Sequence, residues 1–319
     1  MMTEAATVPL PALQGVQALL FDVFGTVVDW RSTVVAELTR RGREKADSPA
    51  FDSLAPSLQS RLAELIDADW ATFAQQWRAS YGKFTKGFVP GEMAWKDIDT
   101  HHYDSLIELL GDWGLAGAFN DDDVRSLSRI WHYLQPWEDS AQGLKMLGTR
   151  YTTSTLSNGN QQLLQDLNEH GQLGFHRLIS SADFKAYKPD PKTYLGAVDA
   201  LGRQPGECAM VAAHLGDLKA ARSCGLRTVY IERPREEDWA SRPDLIEDAR
   251  AWVDVWVASD QDGFVEVARR LGIPGVRDEY RSCLADIYRD HNAVLPCSVG
   301  GGGGKYFWLV QASRVGEGS

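Results

Sequence analysis

Cysteine is scarce: only Cys208, Cys224, Cys283 and Cys297 occur in 319 residues, and no two form a C-x-x-C pair. That spacing excludes the common zinc sites, and a chain of this length needs no disulfide framework, so a reducing compartment such as the cytoplasm is expected. Long hydrophobic runs are also missing. No segment approaches the roughly 20 apolar residues of a membrane span. The opening stretch MMTEAATVPLPALQG lacks the basic start and apolar run of a secretory signal. Positive charge is in deficit, with 33 Lys and Arg against 44 Asp and Glu, a net charge of -11. Such a surface repels polyanions, so neither nucleic acid nor an anionic membrane is an expected partner. What is present is ordinary for a globular protein, 44% hydrophobic and 24% charged, which disfavours wholesale disorder. The length suits one large domain or about two of average size.

Val16 to Phe24 (VQALLFDVF) is an apolar, strand-forming run that stops at Gly25-Thr26, the pattern of a buried strand ending in a tight turn. From Ser32 to about Leu134 the spacing turns helical, with long stretches at Ser60 to Tyr81 and Asp104 to Trp113. Beyond Pro136, strands at Tyr151 to Leu156, His176 to Ser181, Cys208 to Ala213, Arg227 to Ile231 and Val253 to Ala258 alternate with helical segments. Those helices are predicted at Gln161 to His170, Pro191 to Leu201, Leu218 to Cys224 and Gly263 to Leu271. Alternation of this kind predicts a parallel sheet with crossover helices. The expected fold is therefore α/β: a Rossmann-like, doubly wound parallel-sheet core from residues 12–31 and 136–274, with an inserted helical cap at 32–135. The C-terminal extension, 275–319, holds five consecutive glycines, Gly300 to Gly304. They read as a partly flexible linker, because Lys305 is followed by Tyr306 and not by the Ser or Thr of a phosphate loop.

Ligands of open α/β sheets bind outside the carboxyl ends of the strands, which directs attention to the polar residues there. Asp22 ends an apolar strand, where a carboxylate is costly unless paired or functional. It caps the turn or it does chemistry. Lys188 can hold it ionised and neutralise an anionic substrate, Thr26 and Ser157 can donate hydrogen bonds, and Asn158 can offer an amide N–H to developing charge. His214 and Asp217 follow the fourth of these strands.

D-V-F-G-T, L-S-N-G and Y-K-P-D-P, in that order, resemble the three leading motifs of the haloacid dehalogenase-like superfamily. The likeness spans about Gln17 to Pro274 and is nearest to its L-2-haloacid dehalogenase branch, through DVFGTVVDW, FAQQWRASY, LQPWEDS, TLSNGNQQLL, AYKPDPKTY and MVAAHLGDLKAARSCGLRT. Phosphatases of the superfamily carry a second Asp two residues after the nucleophile, where this chain has Phe24. They also carry an acidic pair near the fourth strand, whose first position here is Ala213. A departing halide needs no proton, so these replacements fit dehalogenation. The resemblance implies hydrolysis of a short (S)-2-haloalkanoic acid without metal or organic cofactor. Asp22 would attack the halogen-bearing carbon, and water would hydrolyse the resulting aspartyl ester. It further implies that Arg78 and Asn158 meet the halide and that Ser157 and Thr26 hold carboxylates. Lys188 would orient Asp22, Tyr194 would support the site, and Asp217 would position the hydrolytic water. Val23 and Phe24 would border the substrate, and aromatics Trp30, Phe84 and Trp95 would line the pocket. A homodimer follows only by analogy.

Blander assignments stand beside these. Arg78 also suits a solvated helix face, and Tyr194 also suits helix packing. His214 can assist the water, bond Asp217 or merely finish its strand. Two other functions share the scaffold: a Mg²⁺-dependent phosphatase using Asp22, and a non-catalytic binding protein indifferent to Asp22→Asn.

Overall fold

The computed structural model describes residues 11–274, so the glycine-rich extension lies outside the described residues. The elements in chain order begin with β1 (Ala18–Phe21), β2 (Val28–Asp29), α1 (Trp30–Ala46), α2 (Pro56–Glu64), α3 (Asp67–Gly87), α4 (Ile98–Asp112) and α5 (Asp121–Ser128). There follow β3 (Gln135–Pro136), α6 (Ser140–Gly148), β4 (Thr152–Thr155), α7 (Gln161–His170), α8 (Pro191–Ala200) and β5 (Cys208–Ala212). The chain then runs through α9 (Leu215–Ser223), β6 (Arg227–Ile231), α10 (Pro243–Trp252), β7 (Val255–Val257) and α11 (Gly263–Arg270).

Five strands form a parallel sheet in the order β4-β1-β5-β6-β7. Its strands are buried on both faces, and the period of two divides them cleanly. Leu19, Phe21, Val211, Val229 and Ile231 join one core with residues of α6, α7 and α11, whereas Ala18, Leu20, Met210 and Tyr230 join another with α8, α9 and α10. The chain steps from β1 to β4 on one side, then crosses to β5 on the other. That switch leaves a crevice at the carboxyl end of β1, where Asp22 stands. The short antiparallel pair β2–β3 closes the neck from which α1 to α5 depart and to which they return.

Some elements differ from the sequence pattern. The helix expected over Ser60 to Tyr81 is broken, because Leu65 and Ile66 are extended and the Asp69 carboxylate accepts the Ile66 N–H at 3.0 Å, founding a new N-terminus for α3. The stretch His176 to Ser181 forms no continuous strand: isolated bridges join Arg177 to Ser154 in β4 and Ser180 to Ser157 just beyond it. There the Thr155 hydroxyl accepts the Ile179 N–H at 2.9 Å and donates to its carbonyl at 3.1 Å, so a side chain takes the place of a continuous ladder. α6 and α10 also form where no helix was expected.

Candidate active site

The turn after β1 is wound around one carbonyl: Val23 O accepts the N–H groups of Val27 and Val28 at 2.9 and 3.2 Å. Gly25 takes φ +83°, and a Cβ there would fall 2.0 Å from Glu236 Oε2, so this position needs glycine for both conformation and space. The turn presents Asp22, largely buried, toward the crevice. Thr26 Oγ1 donates to Asp22 Oδ2 at 2.7 Å and accepts the Ala213 N–H at 2.9 Å, joining the end of β1 to the end of β5.

Lys188 lies between two carboxylates. Its Nζ donates to Asp22 Oδ1 at 2.8 Å and to Asp217 Oδ2 at 2.7 Å. Burial works against each charge, yet the ammonium and His214 hold the Asp22 carboxyl well below the usual carboxylate range. Burial likewise opposes the Lys188 charge, and Asp217 with Asp22 overcomes it, raising that amine above its ordinary value. The second oxygen of Asp217 accepts the Tyr194 hydroxyl at 2.5 Å, and burial followed by that carboxylate keeps the phenol protonated. Asn158 Oδ1 accepts the Lys188 N–H at 2.8 Å, fixing the loop that carries the lysine. Ser157, two residues past β4, is buried, and its hydroxyl oxygen accepts the Gly159 N–H at 3.2 Å.

His214 precedes α9 and faces acids on both sides: Nδ1 is 3.2 Å from Asp22 Oδ2, and Nε2 is 3.5 Å from Glu236 Oε2. Burial disfavours its charge, but bonding to those two carboxylates pushes its pKa up to about 10. The contact with Asp22 is not among the three roles read from the sequence, and the expected bond to Asp217 is not made, because Asp217 is engaged by Lys188 and Tyr194 instead. Glu236 escaped the sequence reading because it lies in ERPREEDW, a charge run that resembles a solvated loop. The strand-end rule points to it nonetheless, since the loop follows β6. Its carboxylate is buried and also accepts Trp30 Nε1–H at 3.0 Å. The loop is strapped down by Arg233, which pairs with Asp139 and bonds Thr26 O, and by Glu237, which accepts the Leu215 N–H at the start of α9.

α3 brings Arg78 to this crevice. The guanidinium carbon lies 4.5 Å from the Tyr81 ring centroid and 5.6 Å from those of Phe24 and Trp30. It is half-buried among these rings and has no carboxylate partner among the described residues, so it is not a fully solvated face charge. Burial raises the Tyr81 phenol, while the charges of Arg78 and Lys188 oppose that shift. Tyr81 thus packs against the arginine and lies within electrostatic reach of Asp22 and Lys188, and sequence inspection did not single it out. Phe24 packs on Tyr81 and Trp131. Of the three expected lining aromatics, Trp30 is here, whereas Phe84 and Trp95 pack around Tyr187, beside Lys188. Among the described residues no group of three His, Cys, Asp or Glu side chains is placed to hold a metal ion, and no helix is long and apolar enough to cross a membrane.

A parallel α/β sheet with a paired aspartate and lysine at its switch point defines the class, and comparison with known proteins specifies it. The haloacid dehalogenase-like hydrolase family model matches residues 16–225, and the chain belongs to that family. Within it the chain is 34% identical over 232 residues to (S)-2-haloacid dehalogenase 1 of Pseudomonas sp. (strain CBS-3), covering 70% of this chain and 89% of the relative. It is 27% identical over 234 residues to (S)-2-haloacid dehalogenase 4A of Burkholderia cepacia, covering 72% and 89%. A crystal structure of a defluorinating L-2-haloacid dehalogenase matches with TM-score 0.66 and 31% identity over 83% of this chain and all of that one.

Proposed function

We propose that the protein is a hydrolytic dehalogenase of short (S)-2-haloalkanoic acids, working through an aspartyl ester on Asp22. The observation that carries this reading is the state of Asp22: a buried carboxylate kept ionised by Lys188, with Phe24 where a phosphatase relative carries its acid. In the first step Asp22 displaces halide with inversion, and Arg78 with Asn158 receives the departing anion. The carbon–halogen bond breaks with its electron pair on the halide, so no proton donor is required. In the second step water adds to the Asp22 carboxyl carbon with Asp217 as the acceptor of its proton, and the 2-hydroxy acid leaves. The relatives named for haloacid dehalogenation support the substrate class. In this reading residues 32–135 act as a cap over the 12–31 and 136–274 core.

The test is halide release from the two enantiomers of 2-chloropropionate, with and without EDTA, for the wild type and Asp22→Asn. The expected result is chloride from the (S) enantiomer only, insensitive to EDTA and lost in the variant. Chloride-free (S) substrate together with Mg²⁺-dependent hydrolysis of a phosphate ester would refute the proposal.

A further inference from the structure

The two oxygens of Asp22 are not equivalent. Oδ2 accepts from Thr26 Oγ1 at 2.7 Å and from His214 Nδ1 at 3.2 Å, which occupies both of its in-plane lone pairs. Among the described residues Oδ1 accepts only from Lys188, leaving one lone pair for a bond to carbon. The direction of the Thr26 bond is fixed, because its oxygen already accepts the Ala213 N–H and its proton is therefore committed to Oδ2.

The protonation of His214 follows from what surrounds it. Nδ1 faces Asp22 and Nε2 faces Glu236, and an ionised carboxylate can only accept. A neutral ring would turn a lone pair toward one of them; the imidazolium alone presents a donor to both. Neither nitrogen has a lone pair with which to take a proton from water. The charged groups around this ring are the Asp22 carboxylate from β1 and Glu236 from the loop after β6. Beyond them lie Lys188 and Asp217 on the far side of Asp22, and Arg31 near Glu236.

Resting on the ester reading above, we propose that Asp22 attacks through Oδ1 and that His214, held by Glu236, acts with Thr26 as the oxyanion donor at Oδ2 during ester hydrolysis. Once Oδ1 is bonded to carbon, Oδ2 is the ester carbonyl oxygen, already bound by a hydroxyl and an imidazolium. Water adds to the carboxyl carbon and passes one proton to Asp217, and the C=O electron pair moves onto Oδ2. Collapse restores the double bond and breaks the bond to Oδ1. The departing alkoxide takes the proton back from Asp217, and the new carboxyl group loses its remaining proton to solvent beside Lys188. The donors are in place before charge develops, the condition under which such groups accelerate acyl transfer most. Glu236 is a positioning residue. While Asp22 is ionised, two carboxylates keep His214 protonated; in the ester Asp22 is neutral and Glu236 alone does so. Glycine at position 25 is what lets Glu236 approach this closely.

The experiment is rapid-quench measurement of first-turnover chloride release and of ester decay on the intact protein by mass spectrometry. It uses (S)-2-chloropropionate across a pH series, with the wild type, His214→Ala, His214→Gln and Glu236→Gln. The expected result for His214→Ala is a chloride burst within about ten-fold of the wild-type rate, followed by ester decay slowed roughly 10²- to 10³-fold. His214→Gln, which keeps a neutral donor, falls between. In Glu236→Gln ester decay matches the wild type at acidic pH and then declines at a lower pH than in the wild type, a displacement that a merely structural loss would not produce. A wild-type decay rate that climbs through neutral pH and loses this climb in both His214 variants would make His214 a base and overturn the proposal. So would decay at the wild-type rate in His214→Ala. Chloride release with no enzyme-bound ester in any protein, wild type included, would instead refute the ester reading itself.

Discussion

Replacing Lys188 with Met removes a cation from between two carboxylates while keeping much of its volume. The ammonium is 2.8 Å from one Asp22 oxygen and 2.7 Å from one Asp217 oxygen, so those oxygens are at most about 5.5 Å apart. At an effective dielectric constant of about 20 their repulsion is about 3 kcal/mol, equivalent to about two pKa units. Breaking a buried ion pair commonly costs about 3–5 kcal/mol, in line with that figure. The variant is therefore expected to lose about 3–5 kcal/mol near neutral pH in urea unfolding followed by Trp fluorescence. Its pH dependence has a definite sign. Without Lys188 the two carboxylates repel one another, and uptake of a proton by either relieves that repulsion, so stability returns on acidification even though His214 still favours the ionised Asp22. The deficit should be smaller near about pH 5 than near about pH 8. Asp22→Asn in the Lys188→Met background should restore most of the loss, because it removes one of the opposed charges. A deficit below about 1 kcal/mol that does not change with pH would refute this account of the pair.

Four further outcomes follow from the same geometry. Tyr194→Phe deletes a hydrogen bond to the buried Asp217 and should cost about 1.5–3 kcal/mol by chemical denaturation, with slower ester decay in rapid quench. Gly25→Ala meets both a left-handed backbone and a 2.0 Å approach to Glu236, so both the melting temperature and chloride release should fall. His214 has a folded pKa raised from 6.5 to about 10; its stabilising contribution is complete below the unfolded value and is lost as pH rises through about 10. Wild-type unfolding free energy should therefore decline across that alkaline window, and His214→Gln should not show that part of the decline. Arg78→Lys keeps the charge but loses the planar contacts with Phe24, Trp30 and Tyr81, and should raise KM for (S)-2-chloropropionate and slow first-turnover chloride release.

The order of strands and helices in the core was legible because burial on both faces makes β1, β5 and β6 continuous apolar runs, and the helices between them keep their period. Arg227–Ile231 and Gln161–His170 match the pattern residue for residue. The failures come where side chains replace backbone partners. Thr155 substitutes for a strand ladder at Ile179, and Asp69 starts a new helix inside a periodic stretch. In the candidate site, Asp22, Thr26, Lys188, Tyr194, His214 and Asp217 come together through direct hydrogen bonds; strand ends pointed to all of these except Tyr194, which lies within α8 and was pointed to by the family resemblance alone. Glu236 and Tyr81 were not legible for opposite reasons. One hides in a charge run whose burial depends on straps from Arg233 and Glu237; the other looks like one more aromatic on an amphipathic helix.

The most direct test of the central claim is a single turnover in heavy-oxygen water, with enzyme in excess over (S)-2-chloropropionate, followed by mass analysis of the Asp22 peptide and of the product. The account predicts that the solvent oxygen enters the Asp22 side chain and that the hydroxyl of the 2-hydroxy acid carries an oxygen from the enzyme. Heavy oxygen in the product hydroxyl with none in Asp22 would mean that water attacks the substrate directly, and would contradict it.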